Sequence, residues 1–282
     1  MQTVHKAAQL PAPREGVRRA VVMTMGALHE GHLTLVRHAR TLADEVLVTV
    51  FVNPLQFNDP ADLERYPRTL EADAALLEAE GVDLLYAPAV EDVYPGGTPL
   101  VTVNAGPINT HFEGAFRPGH FDGVLTVVLK LMHLTRPDVA LFGQKDAQQV
   151  IAVRTMCRDL NVPVEVVAVP TVRDADGLAL SSRNVFLSAA QRQDALALSR
   201  ALGTADAVAR TGTATVAQVL AAGRAVLDAA SGVGTEYFGA LDPRSAAPVP
   251  EDYRGEVVVA VAATVGNTRL IDNVVTEVGG PA

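Results

Sequence analysis

Cysteine is nearly absent from this 282-residue chain, with Cys157 as the whole supply. A single thiol excludes an internal disulfide and a cysteine-rich metal site, and a buried, inert side chain is its expected role. Long apolar runs are missing too. The longest, VVVAVAATV at 257–265, falls far short of the ~20 residues a bilayer crossing needs. The opening stretch MQTVHKAAQLPAPREG has no apolar core of the kind a secretory signal carries. Positive charge is in deficit: 23 Lys and Arg face 32 Asp and Glu, for a formal net charge of −9. Such a chain repels a phosphate backbone, so general nucleic-acid binding is not expected. A small anion is still admissible, because a few local cations and a helix N-terminus suffice to hold one. No G-x-x-x-x-G-K-[ST] phosphate loop and no repeat of roughly 20–50 residues occurs. With 49% apolar and 20% charged residues, the expectation is a globular, cytoplasmic protein with no nucleic-acid or membrane partner.

What is present is an alternation. Short β-rich runs at 19–24, 45–52, 82–88, 138–143 and 164–169 are separated by helical patterns at 31–43, 68–80, 121–135 and 146–160. Near-continuous Val and Leu in the strands predicts a parallel sheet covered on both faces. Right-handed crossovers then make a Rossmann-like, doubly wound α/β fold. The pattern changes at PTVRDADG (170–177), whose Pro, Asp and Gly mark a turn. Two Ala-rich helices (188–210 and 214–230) and three strands (234–241, 255–264, 267–273) follow. The expected division is therefore 1–171, a nucleotide-type sheet domain, and 172–282, a smaller α+β domain. Ligands of such sheets bind at the carboxyl ends of the strands. Three polar segments sit there: TMGALHEGH, FVNPLQFN and FGQKDAQQ.

In TMGALHEGH, Gly26 permits a tight turn and Gly31 removes a side chain at a helix entry. His29 and His32, three apart, share one side of that entry, where N–H groups and the helix dipole favour an anion. Two imidazoles there suit a triphosphate and the charge on departing pyrophosphate. Capping or surface histidines are the plain alternative, and a His-Glu-x-x-His metal site is excluded by the spacing. Lys145 in FGQKDAQQ suits a phosphate, with Asp146 as a helix cap and Gln149 one turn on. SSRN offers Ser181, Ser182 and the forked donor Arg183, or else an ordinary turn. Asn53 and Gln56 follow a strand, and a glutamine's paired donor and acceptor suits a hydroxy acid. RPGHF adds Arg117 and His120, the latter more in keeping with a structural role.

TMGALHEGH, FVNPLQF, YPRTL, RPGHFDGVLTVVLKL, FGQKDAQQ and GLALSSRN, in this order, resemble the pantothenate synthetases, or pantoate–β-alanine ligases. The likeness runs from Thr24 to Leu187 and continues more weakly to RLIDN (269–273). It implies a nucleotidyltransferase-superfamily enzyme with a Rossmann-like domain and a C-terminal lid. HEGH resembles the His-Ile-Gly-His signature of class I aminoacyl-tRNA synthetases, and LSSR their Lys-Met-Ser-Lys-Ser loop.

The implied reaction joins (R)-pantoate to β-alanine through a pantoyl adenylate, consuming ATP with Mg2+, in a homodimer without an organic prosthetic group. Carried onto this chain, Met25, Gly26, Ala27, Leu28, His29, Glu30, Gly31 and His32 line ATP. Gly143, Gln144, Lys145 and Asp146 touch it as well. Val172 lies near adenine, and Leu180, Ser181, Ser182 and Arg183 close over the nucleotide. The catalytic set is His29, His32, Lys145, Ser181, Ser182 and Arg183. Gln56 and Gln149 hold pantoate, Asn53 supports the amine site, and Asp73 is a loose match to a magnesium ligand. Residues 66–69 correspond to a flap. The departures are Met23 where proline is common, Leu55 where methionine is common, and Gln144 in place of a glutamate. Two rival readings stay open: an adenylyltransferase acting on a phosphate ester, and an ATP-binding regulator with a dead site.

Overall fold

Strands with apolar side chains on both faces need helices above and below them. The computed structural model, which describes residues 1–280, meets that need with a six-stranded parallel sheet. Its strands are β1 (Gln2–Val4), β2 (Arg19–Thr24), β3 (Glu45–Val50), β4 (Leu84–Tyr86), β5 (Val139–Gly143) and β6 (Glu165–Val169). Seven helices belong to this part of the chain: α1 (Glu30–Leu42), α2 (Pro60–Arg65), α3 (Leu70–Ala79), α4 (Val90–Val93), α5 (Glu113–Phe116), α6 (His120–Thr135) and α7 (Ala147–Asp159). On one face, Val36 and Ala39 of α1 and Leu77 of α3 pack on Ala20, Val22, Val48, Leu85 and Leu141.

The spatial order is β1-β4-β3-β2-β5-β6. The chain thus winds outward from β2 through β3 and β4, then returns to lay β5 and β6 on the other side. The order reverses between β2 and β5, which is where a doubly wound sheet opens a crevice at its carboxyl edge. Thr24 and Val50 are register partners at that edge. The expected fold class is present.

Contacts divide the chain into two units, one comprising 1–110, 114–143 and 152–170, the other 111–113, 144–151 and 171 onward. The second holds α8 (Ala189–Ala209), α9 (Val216–Asp228) and an antiparallel sheet β7 (Val233–Leu241), β8 (Gly255–Val265), β9 (Thr268–Val278), in the order β7-β8-β9. Val257, Val259 and Val261 meet Leu202, Leu227 and other helix residues in its core. The opposite face takes up the two early segments. Phe112 stacks edge-on against Tyr237 at 5.3 Å, and a Cβ at Gly239 would lie 2.8 Å from the Phe112 ring. A division at 171/172 does not include these excursions. Each is under nine residues and carries no composition change.

The short helices α2, α4 and α5 were not expected, and two strands differ from expectation. β1 is three residues long, too short for a periodicity, and exists because β4 offers a parallel edge from Leu84 to Tyr86. β9 continues to Val278 because its antiparallel partner β8 begins at Gly255. Among the described residues no helix is long and apolar enough to cross a membrane.

The amino edge of the parallel sheet is fastened by a charge. Arg19, at the start of β2, is 1% exposed. Its Nε donates to Glu45 Oε2 on β3 at 2.5 Å, and Nη1 donates to the carbonyl of Thr135 at the end of α6 at 2.8 Å. The Pro11 carbonyl accepts at 3.2 Å. A guanidinium with these partners tolerates burial, but one stripped of its carboxylate does not. Glu45→Ala is expected to cost about 3–5 kcal/mol, measured by urea unfolding. A loss within experimental error would show that the carbonyls alone satisfy Arg19.

Candidate active site

The loop after β2 is built around a buried carboxylate. Gly26 has φ +83° and Ala27 φ +50°, a left-handed pair that turns successive N–H groups inward. Asp73, on α3 and 2% exposed, fills the hollow. Its Oδ1 accepts from the Leu28 N–H at 2.8 Å, and its Oδ2 from the Ala27 N–H at 3.0 Å and the Thr69 hydroxyl at 3.2 Å. Gly26 is required twice over, by its φ and because a Cβ there would stand 3.0 Å from Asp73 Oδ2.

Helix α1 then starts with a reciprocal cap made of histidines. His29 Nδ1 accepts from the Gly31 N–H at 3.2 Å, and His32 Nδ1 accepts from the His29 N–H at 3.3 Å. The ring centroids are 4.1 Å apart. An imidazole that accepts at Nδ1 carries its proton at Nε2. The cap therefore puts the proton of each ring on Nε2, at a helix N-terminus. The capping alternative from the sequence and the phosphate reading are thus not exclusive. Capping uses one nitrogen of each ring and sets the other.

The loop after β3 is equally determined. Asn53 is 1% exposed and has a protein partner in all four hydrogen-bonding directions. Oδ1 accepts from the Leu55 N–H at 3.3 Å and from the Tyr94 hydroxyl at 2.9 Å. Nδ2 donates to the Gly123 carbonyl at 3.1 Å and to Gln56 Oε1 at 3.0 Å. Burial pushes the Tyr94 hydroxyl pKa up, which keeps it a donor. With its Oε1 taken, Gln56 turns Nε2 toward Met25, whose sulfur lies 3.2 Å away. The Gln56 carbonyl is held by His120 Nδ1 at 2.9 Å and Arg117 Nη2 at 3.3 Å, so both residues of RPGHF support Gln56. Gly123 of α6 lets this turn come close, since a Cβ there would fall 2.3 Å from the Leu55 carbonyl oxygen. The first unit thus joins Met25–His32, Asn53, Gln56 and Asp73, with Gly143 at the same strand edge.

The second unit holds the remaining candidates. Gln144–Asp146 form one 3-10 turn directly after β5, and Gln149 lies in the first turn of α7. Lys145 Nζ is 3.8 Å from Asp146 Oδ2. Val172 and Leu180 face each other across a tight hairpin, the Leu180 N–H donating to the Val172 carbonyl at 2.9 Å. Ser181 caps the next turn, its hydroxyl accepting from the Arg183 N–H at 3.2 Å. Ser182 and Arg183 occupy that turn.

A family model for pantoate-beta-alanine ligase matches residues 1–275. The chain belongs to the pantoate–β-alanine ligase family. It is 52% identical to pantothenate synthetase of Streptomyces avermitilis, with 91% of this chain and 92% of that protein aligned. A crystal structure of pantothenate synthetase from Thermus thermophilus superposes with a TM-score of 0.90 at 48% identity, covering 97% of this chain and 99% of that one. A ligase structure from Francisella tularensis, described as complexed with beta-gamma ATP and beta-alanine, superposes at 0.79 with 31% identity and 97% coverage of both chains. The protein is accordingly an enzyme of the pantothenate synthetase class, an ATP-using ligase.

Within this ligase fold, two residues with clear local roles were not among the candidate site residues. Tyr94 lies outside every quoted motif. Asn273 closes RLIDN, and its Nδ2 donates to the carbonyls of Gln144 and Lys145 at 2.9 and 2.8 Å. Of the departures, Met23 sits half-buried on β2 opposite Thr49, and Leu55 lies in the turn beneath Gly123. Gln144 places Nε2 3.5 Å from Asn273 Oδ1, a donor position that a glutamate would lack.

No group of three or more His, Cys, Asp or Glu suited to a metal occurs among the described residues. Asp73, the loose metal match, spends both oxygens on the loop. Asp73→Ala should destabilise the fold by about 1–3 kcal/mol, the range for orphaned buried donors. Urea unfolding with magnesium and with EDTA checks this. A loss that appears only with magnesium would restore the metal role.

Proposed function

We propose that the protein condenses (R)-pantoate with β-alanine in two steps. The pantoate carboxylate attacks the α-phosphorus of ATP, and pyrophosphate leaves from the opposite side. The amine of β-alanine then attacks the carbonyl of the mixed anhydride, AMP leaves, and the new amide loses the amine's proton. A carboxylate is ionised at neutral pH, so the first step needs no strong base. The protein's task is alignment and neutralisation of charge on the leaving group.

The observation that carries this reading is the reciprocal histidine cap at the sheet's carboxyl edge. It points to two fixed Nε2–H donors for the triphosphate, from His29 and His32, beside the N-terminus of α1. Met25, Gly26, Ala27, Leu28, Glu30 and Gly31 shape the wall behind the nucleotide. Lys145, Ser181, Ser182 and Arg183 supply further phosphate contacts, with Gly143, Gln144 and Asp146 alongside. Val172 and Leu180, joined in one hairpin, suit the edge of adenine. Gln56, whose acceptor end is already engaged by Asn53, offers a donor to the oxygens of pantoate, and Gln149 offers a second amide. Asn53 acts through Gln56, since its own amide is fully engaged. Mg2+ enters with ATP as the counterion of its phosphates and not as a resident cofactor. The beta-gamma ATP and beta-alanine named in complex with the Francisella ligase support the same substrates here. A homodimer working in the cytoplasm completes the proposal.

The test is incubation with ATP, Mg2+ and pantoate, with and without β-alanine, read by mass spectrometry. Pantoyl adenylate and pyrophosphate are expected without the amine, and pantothenate with AMP when it is added. A stable dinucleotide formed without amine would favour the phosphate-ester adenylyltransferase, and ATP binding without pyrophosphate a regulator. His32→Ala and Lys145→Ala should each slow single-turnover adenylate formation by about 10²–10³, as for other transition-state donors. Rates within a few-fold of the parent would remove them from the mechanism. Gln149→Ala should raise the apparent pantoate constant while leaving that for ATP nearly unchanged. An unaltered pantoate affinity would exclude this residue.

A further inference from the structure

Consecutive residues of a strand send their side chains to opposite faces of the sheet. On β9, the edge strand of the antiparallel sheet, this puts two polar residues to work on two segments. Asp272 is 4% exposed and binds Arg173 in a forked pair, with Nη1–Oδ2 at 2.6 Å and Nη2–Oδ1 at 2.9 Å. Arg173 also donates to the Gly177 carbonyl at 3.2 Å and pairs by backbone with Ala179, inside the hairpin that carries Val172 and Leu180. Asn273, also 4% exposed, leaves on the other side and gives both its Nδ2 hydrogens to the carbonyls of Gln144 and Lys145. Its N–H closes the arrangement by donating to Asp272 Oδ1 at 2.8 Å.

We infer that Asn273 is a positioning residue for Lys145, and that Asp272 and Asn273 together hold the lysine turn and the Val172–Leu180 hairpin to one strand. The inference rests on the reading of Lys145 as a phosphate contact. Two neighbouring carbonyls that point the same way at a 3-10 turn need two donors, and a primary amide supplies both from one nitrogen. With the Lys145 carbonyl fixed, the direction in which its side chain leaves the turn is fixed as well. Aspartate has nearly the same shape but would aim a carboxylate oxygen at two carbonyl oxygens. Glycine or alanine leaves them without a partner.

The consequence is selective. A group that neutralises departing pyrophosphate matters when the adenylate forms and is idle when the amine attacks. Asn273→Asp and Asn273→Ala should slow single-turnover adenylate formation by on the order of 10–10². They should leave the conversion of supplied pantoyl adenylate with β-alanine within twofold of the parent. In a Lys145→Ala background, Asn273→Ala should add less than a twofold change, because the group it positions is gone.

Three results overturn the inference. Adenylate formation within twofold of the parent in either folded variant is one. Equal slowing of both half-reactions, the mark of a merely structural residue, is another. Full additivity with Lys145→Ala is the third. Should Asn273→Asp fail to fold, Asn273→Ala carries the same comparison without a buried charge. If the parent itself forms no adenylate, the reading of the whole site falls and this inference with it. An active parent with an indifferent Asn273 removes only the latter.

Discussion

One buried carboxylate holds the chain where the rest of the site begins. Backbone N–H groups turned into a left-handed hollow attract any anion that reaches them. At Ala27 and Leu28 the hollow is filled by Asp73 from α3, so the loop is organised before any ligand arrives. This releases the next residues for a different task. His29 and His32 cap α1 with their Nδ1 atoms and so have their donor ends set. In a nucleotide site built on a glycine-rich phosphate loop, the backbone itself meets the phosphate. Here the backbone is occupied by an internal acid, and the proposed function gives the facing position to imidazoles. The absence of a Walker-type sequence and the presence of His29 and His32 are two sides of one arrangement.

The same division of labour recurs within each unit. Asn53 uses every hydrogen-bonding direction on protein partners, and the result is a Gln56 amide with a defined donor end. Ser181 caps the turn that bears Ser182 and Arg183. Asn273 occupies the two carbonyls beside Lys145. In each case a short polar residue binds at least one backbone group, and a longer or more basic neighbour is thereby aimed. Short side chains do this well because few rotatable bonds are frozen when their hydrogen bonds form.

The fold was legible because its signal is local. Apolar strands such as AVVM and VLV, alternating with amphipathic segments, specify a covered parallel sheet with no knowledge of tertiary contacts. β2 and the two Ala-rich helices fall within two residues of their expected ends. β1 was not legible, because three residues have no period and the strand exists only through β4. The candidate site was legible where motif residues carry rare chemistry, as in His29, His32 and Lys145, whose roles belong to the proposed function. It was hidden where a common residue acquires a role from a distant partner. Tyr94 lies 41 positions from Asn53, and Asn273 lies 128 from Lys145. Asp73 shows a third case. The resemblance made it a loose match to a magnesium ligand, and only the tertiary structure reveals that its oxygens face two backbone N–H groups.

That distinction bears on how substitutions near such a site are weighed. A residue with atoms left over after its protein contacts can act on a ligand directly, and its loss removes a term from the transition state. A residue whose every donor and acceptor is matched acts through geometry, and its loss spreads to whatever it aimed. Asn53 belongs to the second class although it sits in the most distinctive motif after the histidines, and Gln56 three residues later belongs to the first. Replacing Asn53 by aspartate would turn a donor into an acceptor opposite Gln56 Oε1. The glutamine amide would then have to rotate, presenting oxygen where it had presented nitrogen. The polarity that Gln56 offers to a ligand, pantoate in the proposed function, would invert with no change in the shape of either side chain, so an isosteric change at a saturated position can be more disruptive than a truncation.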